Sequence, residues 1–332
     1  QRNAEVGTMV KFGVDLVAFD IINYFGRNLD KILIGLFHGN GALGLYSKAY
    51  QLLMMPITNL RNPVNKVAMP ALSRLQNEPE RYRNYYKKLL FLLSFFSIPL
   101  VVFLFVCSDR IISFVLGSQW MEASALFRIL AVVGLLETVS STAGLVFIST
   151  GRSREYLWCG IAITPLICLS FVFGLPWGVK GVATAYAIAK YIVLLPMLIY
   201  AYRETPIQLS DFFIAIYKPF LASIVMGASC FILIAKLYFL SDLALLIVNF
   251  LVALLIYLLA TLLAFFCFIL AWPSTQASLI YLPVERTLQA YWAGEVLSPE
   301  QIADAQQRTQ SALAIQPHPR FYNGLSVLHF IG

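Results

Sequence analysis

The chain has 332 residues, 59% of them hydrophobic and 12% charged, with 24 Lys and Arg against 17 Asp and Glu. Soluble domains run at roughly 45–50% apolar and about 25% charged, so this composition leaves too little polar surface to coat a water-soluble globule, and it excludes disorder as well. At about 20 residues per crossing there is room for eight to twelve membrane helices, and the formal charge of +7 reads as loop cations of a membrane protein rather than as a nucleic-acid surface.

Eight apolar runs are expected to cross. The first covers residues 7–25 and the second 41–57, short enough that an amphipathic helix is expected to extend it past Pro63. A third covers 89–107, followed by the apolar stretch 111–116, too brief to cross, and a fourth covers 123–149. The fifth (156–175) and sixth (181–201) are separated by Pro176-Trp177-Gly178-Val179-Lys180, whose Pro and Gly mark a tight turn. The last two, 212–235 and 243–272, are the most uniformly apolar and are expected at the lipid-exposed periphery. Together they predict an all-α, polytopic membrane bundle of about eight transmembrane helices.

Loop charge predicts the orientation. One set of loops carries Arg61, Lys66, Arg74, Arg81, Arg83, Lys87, Lys88, Arg152, Arg154, Arg203 and Lys218; the opposite set carries Arg27, Lys31, Arg110, Lys180 and Lys236. The basic set is expected in the cytoplasm, and eight crossings put both ends of the chain there. After Trp272 the composition turns polar, and Ser298-Pro299-Glu300-Gln301 reads as a capping box with Pro at the first helical position. Ile302, Ala305, Thr309 and Ala312 then recur at helical spacing, ending at Pro317-His318-Pro319. That tail fits a docking helix or an unrelated appended end. The chain opens on Gln1, without a signal pattern, and reads as part of something longer.

Nothing in the chain speaks for an enzyme, a metal site or a bound cofactor: it has no nucleotide-binding glycine loop, no G-x-S-x-G and no H-E-x-x-H, and its five cysteines stand singly in apolar runs. The informative residues are charges inside spans, each costing about 2.5–3.5 kcal/mol at a helix centre. In the first span Lys11 and Asp15 are four apart, and Asp20, Asn23 and Arg27 continue a polar stripe, facing a cavity or satisfying itself as intrahelical pairs. Glu137 lies mid-way along the fourth span and Lys190 along the sixth, with Tyr186 a turn before it; at similar depth they are expected to pair. Lys48 stands between Tyr46 and Tyr50, rings able to contact sugars, although a lysine snorkelling to the interface is the simpler reading. Pro56, Pro99, Pro165, Pro196 and Pro219 fall inside spans, where bends are tolerated.

Several blocks recur in order: Arg27-Asn28-Leu29-Asp30-Lys31-Ile32-Leu33-Ile34-Gly35, Ala42 to Tyr50, Pro70 to Gln76, Pro79 to Arg83, Gly117-Ser118-Gln119-Trp120 and Gly174 to Gly178. Through them residues 7–272 resemble the polysaccharide and lipopolysaccharide flippases of the multidrug/oligosaccharidyl-lipid/polysaccharide exporter superfamily, most closely the colanic-acid-exporter-like branch. The resemblance implies two six-helix lobes around a central cavity, often with two extra helices. This chain would supply the second lobe (1–201), the two extra helices (202–272) and a cytoplasmic tail (273–332). The implied activity is movement of undecaprenyl-diphosphate-linked oligosaccharide across the bacterial inner membrane by alternating access, past a cationic lumen. Other polysaccharide-assembly membrane proteins are implied as further partners.

Among Arg27, Lys31, Lys48, Arg61, Lys66 and Lys190, the cations in or near spans, the substrate candidates are Arg27, Lys31, Lys48 and Lys190, with Arg27 and Lys190 foremost. Asp15, Asp20 and Glu137 are candidates for coupling or for structural pairing. A polymerase or ligase of the same pathway and a drug-efflux relative stay open as alternatives.

Overall fold

The computed structural model describes the backbone of residues 2–237, 241–292, 298–315 and 325–328. Within its helices the side chains of 2–12, 15, 22, 23, 25, 27, 264–280, 282, 286, 291 and 292 lie outside the description. The described elements are α-helices joined by short turns: α1 (Arg2–Leu75), α2 (Pro79–Val106), α3 (Ser108–Leu116), α4 (Ala123–Ser149), α5 (Ser153–Gly174), α6 (Gly178–Tyr202), α7 (Leu209–Lys236), α8 (Asp242–Trp292) and α9 (Pro299–Ile315). Residues 1–260 form one compact unit and residues 261–332 a second.

Among the described residues, five stretches are long and apolar enough to cross a membrane: Pro79–Val106, Ala123–Ser149, Ser153–Tyr202, Leu209–Lys236 and Asp242–Leu263. The third holds the α5–α6 hairpin, so the five account for six of the eight expected crossings. The expected spans 7–25 and 41–57 lie on α1 and are not among the five; many side chains of 7–25 lie outside the described residues, and Lys48 and Gln51 dilute the apolar run of 41–57. α1 breaks at Gly39, whose φ of 81° is a backbone conformation that glycine adopts without strain. Its second arm runs on through Pro56, Pro63 and Pro70 to Leu75, as the amphipathic extension expected from the sequence.

Helix order within the first unit follows burial. α4 packs on α1, α2 and α6, and its apolar stretch is 61% buried against 22% for that of α8. The uniformly apolar α8 is peripheral, as expected, while α4 carries the polar groups that need neighbours. Ile34, Tyr46, Leu53, Phe127, Leu130 and Phe171 form one core cluster. A second joins Tyr82, Tyr86, Phe147, Leu198, Tyr202 and Phe212, and a third seats Met226 and Cys230 of α7 against Ala253 and Tyr257 of α8.

The ends of the helices confirm which loops lie together. At one end the Tyr82 hydroxyl meets that of Ser149 at 2.7 Å, and Tyr86 bridges the hydroxyls of Thr142 and Tyr202 at 2.8 and 3.0 Å. Arg83 donates two hydrogen bonds to Asp211, at 2.7 and 3.0 Å, and Asp211 also accepts from the Gln208 backbone to start α7. Arg152 donates to the carbonyls of Tyr200, Ala201 and Arg203, satisfying the last turn of α6, where free carbonyls carry partial negative charge. These residues belong to the loops that the sequence groups as the basic side. At the other end Arg110 pairs with Asp242 at 2.5 Å, Arg128 pairs with Asp109, and His38 Nε2 lies 3.1 Å from the Leu175 carbonyl beside the α5–α6 turn.

α8 continues to Trp292, past the end of the expected span at Trp272, because the loss of hydropathy ends the apolar run without ending the helix. In the second unit the Gln301 side chain accepts from the Ser298 backbone at 2.8 Å, and the Gln301 backbone donates to Ser298 Oγ at 3.3 Å, forming the anticipated capping box. Ala305, Thr309 and Ala312 are buried with Tyr281, Val284 and Leu328. Pro317, His318 and Pro319, the expected stop, lie outside the described residues.

Candidate functional site

The polar centre of the first unit is built around Glu137. Arg61 from the second arm of α1 reaches Glu137 Oε1 at 3.5 Å, and Lys190 from α6 reaches Oε2 at 3.3 Å. The Lys190 ammonium also lies 5.6 Å from the centre of the Tyr186 ring, one helical turn away, within range of a cation–π attraction. The Arg61 and Glu137 side chains are each 14% exposed and Lys190 31%. The pairing expected for Glu137 and Lys190 is therefore present, and a second cation shares the same carboxylate. The sequence counts Arg61 both with the basic loop cations and with the cations near spans; in the structure the second arm of α1 carries it to the Glu137 carboxylate.

Among the described residues, two cations share one carboxylate and leave an excess of positive charge at this point of α1, α4 and α6, where a lone charge is costly to hold. Such a place favours an anion that brings its own negative charge and accepts hydrogen bonds from a guanidinium and an ammonium. Tyr191, one residue beyond Lys190, donates to the Val132 carbonyl at 3.1 Å and ties α6 to α4 beside the cluster.

A second polar group spans the bend of α1. Asp30, on the first arm, is 3% exposed; its Oδ2 accepts the Tyr46 hydroxyl at 2.7 Å and its Oδ1 accepts the Lys31 backbone N–H at 2.7 Å. The Lys31 ammonium lies 5.7 Å from the centre of the Tyr50 ring. Asp30 and Tyr46 stand inside the quoted sequence blocks, but nothing in their spacing of 16 residues signals a contact; only the bend at Gly39 brings the arms together.

The remaining candidates separate. Lys48 is exposed, whereas the Tyr46 ring beside it in sequence is fully buried and its hydroxyl is taken by Asp30. Residues two apart on a helix point to different faces. Asp20 is exposed, as is Lys66, and Lys31 is half-buried. The side chains of Arg27, Asp15, Lys11 and Asn23 lie outside the described residues.

Residues 2–125 match the sequence family described as polysaccharide biosynthesis protein. Over 222 residues the chain is 32% identical to the teichuronic acid biosynthesis protein TuaB of Bacillus subtilis (strain 168), covering 66% of this chain and 46% of that protein. Over 230 residues it is 26% identical to the lipopolysaccharide biosynthesis protein WzxC of Escherichia coli (strain K12), covering 67% and 45%. The chain is a relative of polysaccharide biosynthesis proteins. It spans less than half the length of these relatives. Its fold is similar to that of the lipid II flippase MurJ in an inward closed conformation, with a TM-score of 0.63 at 20% identity over 76% of this chain and 53% of that one. The all-helical, multi-pass membrane architecture read from composition thus agrees with the fold of a solved transporter.

Proposed function

We propose that this chain contributes a six-helix lobe and two added helices to a transporter that flips undecaprenyl-diphosphate-linked oligosaccharide across the bacterial inner membrane. The observation that carries this reading is the Arg61–Glu137–Lys190 cluster, two cations on one carboxylate, held half-buried among the packed helices α1, α4 and α6. A diphosphate-sugar head cannot cross a hydrocarbon layer about 30 Å thick unaided. Cations already held inside the bundle offer it a stopping place without the full cost of leaving water, while the prenyl tail stays in the bilayer.

The relatives named for teichuronic acid and lipopolysaccharide biosynthesis support a polysaccharide precursor as cargo. In this reading the protein is a transporter and not an enzyme, residues 1–201 are the lobe, 202–272 the added helices and 273–332 the tail. The basic end that gathers Arg83, Arg152 and Arg203 faces the cytoplasm, and both ends of the chain lie on that side. Lys31, Lys48 and Arg27 remain proposed contacts along the path, and Asp15 and Asp20 proposed coupling or pairing charges.

The test is complementation in a bacterium lacking its own exporter, using the gene at its full natural length. Arg61→Ala and Lys190→Ala should abolish surface polysaccharide at unchanged protein level while lipid-linked units accumulate. Normal surface polysaccharide in both variants would refute the assignment.

A further inference from the structure

The surface between α5 and α6 holds an open groove of about 890 Å³, within the range of pockets that bury small-molecule ligands. Small, half-buried residues, among them Gly181, Ala185 and Ala189, make its floor, and exposed Leu169, Phe173 and Ile192 make its walls. The floor exists because α5 and α6 touch at the turn: a Cβ on Gly174 would lie 2.6 Å from the Gly181 carbonyl oxygen, and one on Gly181 2.5 Å from that of Gly174.

The two hydroxyls that line the groove are turned onto their own helices, Ser170 donating to the Ile167 carbonyl at 2.7 Å and Thr184 to the Lys180 carbonyl at 2.8 Å. Along its length the groove therefore offers hydrocarbon.

One end is different. Lys180 lines the groove there, exposed, with Trp177 beside it. None of the ion pairs among the described residues includes it. A Trp and a Lys at the end of a crossing helix mark the membrane–water interface. From Lys180 to Ile192 the groove follows α6 for twelve residues, about 18 Å at 1.5 Å per residue. Half of a hydrocarbon layer of about 30 Å is about 15 Å. The groove is thus one leaflet deep, apolar throughout, and cationic where headgroups lie.

We propose that this groove binds a membrane phospholipid, with one acyl chain lying along α5 and α6 and an anionic phosphate headgroup paired with Lys180. Depth argues for an acyl chain of one leaflet rather than for a longer prenyl chain, and the unshared ammonium argues for a lipid of net negative charge. The inference needs the membrane-spanning fold and does not depend on which cargo is transported.

The test uses the full chain in nanodiscs of equal palmitoyl-oleoyl phosphatidylglycerol and phosphatidylcholine, with bound lipid read by native mass spectrometry. The wild type should retain phosphatidylglycerol preferentially. Lys180→Ala should lower that preference about fivefold, the effect of about 1 kcal/mol for one lysine near an anionic surface. Ala185→Trp, or Ala189→Phe should the first not fold, should lose one bound lipid of either kind while keeping the wild-type melting temperature. Unchanged preference in Lys180→Ala, an unchanged lipid count in the folded filled-groove variant, or displacement of phosphatidylglycerol by equimolar undecaprenyl phosphate would each overturn the proposal.

Discussion

Glu137→Gln is the most informative single change because the carboxylate is shared. The substitution keeps the volume and removes the charge, leaving Arg61 and Lys190 to face each other across a neutral amide. Breaking a fully buried pair costs about 3–5 kcal/mol; with Arg61 at 14% exposure and Lys190 at 31%, the expected loss is about 3 kcal/mol. Lys190→Met should cost only about 1 kcal/mol, because Glu137 keeps Arg61 and the lost partner was nearly a third exposed. The double variant should be less destabilised than the sum of the two, by about 1 kcal/mol. Exchanging the two charges should rescue stability only in part, since it sets a cation at position 137 against Arg61. The assay is reversible unfolding in mixed detergent–dodecyl sulfate micelles followed by circular dichroism. Equal losses for Glu137→Gln and Lys190→Met, or strict additivity in the double variant, would refute a carboxylate shared between two cations.

Tyr46→Phe removes the hydroxyl donor to buried Asp30 and should cost about 1.5–3 kcal/mol in the same assay. Asp211→Asn weakens both bonds from Arg83 and should lower stability by about 2 kcal/mol. Arg83→Lys should recover only part of the wild-type stability, since it loses the two-pronged geometry. Gly181→Ala forces a methyl against the backbone of Gly174 and should cost about 1–3 kcal/mol, read as a lower melting temperature. In a cysteine-free background, single cysteines at Arg154 and Lys180 should react with a membrane-impermeant maleimide from opposite sides of the membrane; labelling from one side would refute the proposed topology.

Legibility in the sequence followed the kind of signal each feature leaves. α4 is bounded where its apolar run is bounded, and the α5–α6 turn sits on its Pro and Gly. The Ser298 capping box is local, needing only residues three apart. Glu137 and Lys190 were readable as partners because each is a charge stranded inside an apolar helix and must find an opposite one. Arg61 leaves a weaker signal, because hydropathy falls after Ile57 while the helix does not stop, so a residue that resembles a loop cation reaches the Glu137 carboxylate. Asp30 and Tyr46 were not legible as a pair, since their meeting depends on the direction the chain takes after one glycine. The end of α8 is hidden for the same reason: an apolar run marks the stretch suited to lipid, and a helix can continue past it.

The bend in α1 is held in an unusual way. At Gly39 an added Cβ would meet nothing within 4 Å, whereas one on Gly35 would lie 3.2 Å from the Leu43 side chain across the bend. What spans it is the hydrogen bond from Tyr46 to Asp30, with the Lys31 ammonium over the Tyr50 ring beside it. The arms are therefore braced across the bend by a polar strut as well as by apolar packing, as in a folding rule locked by a brace. Because Arg61 rides on the far arm, removing that one phenolic hydroxyl should also shift how far the guanidinium reaches toward α4, at the other end of a long lever.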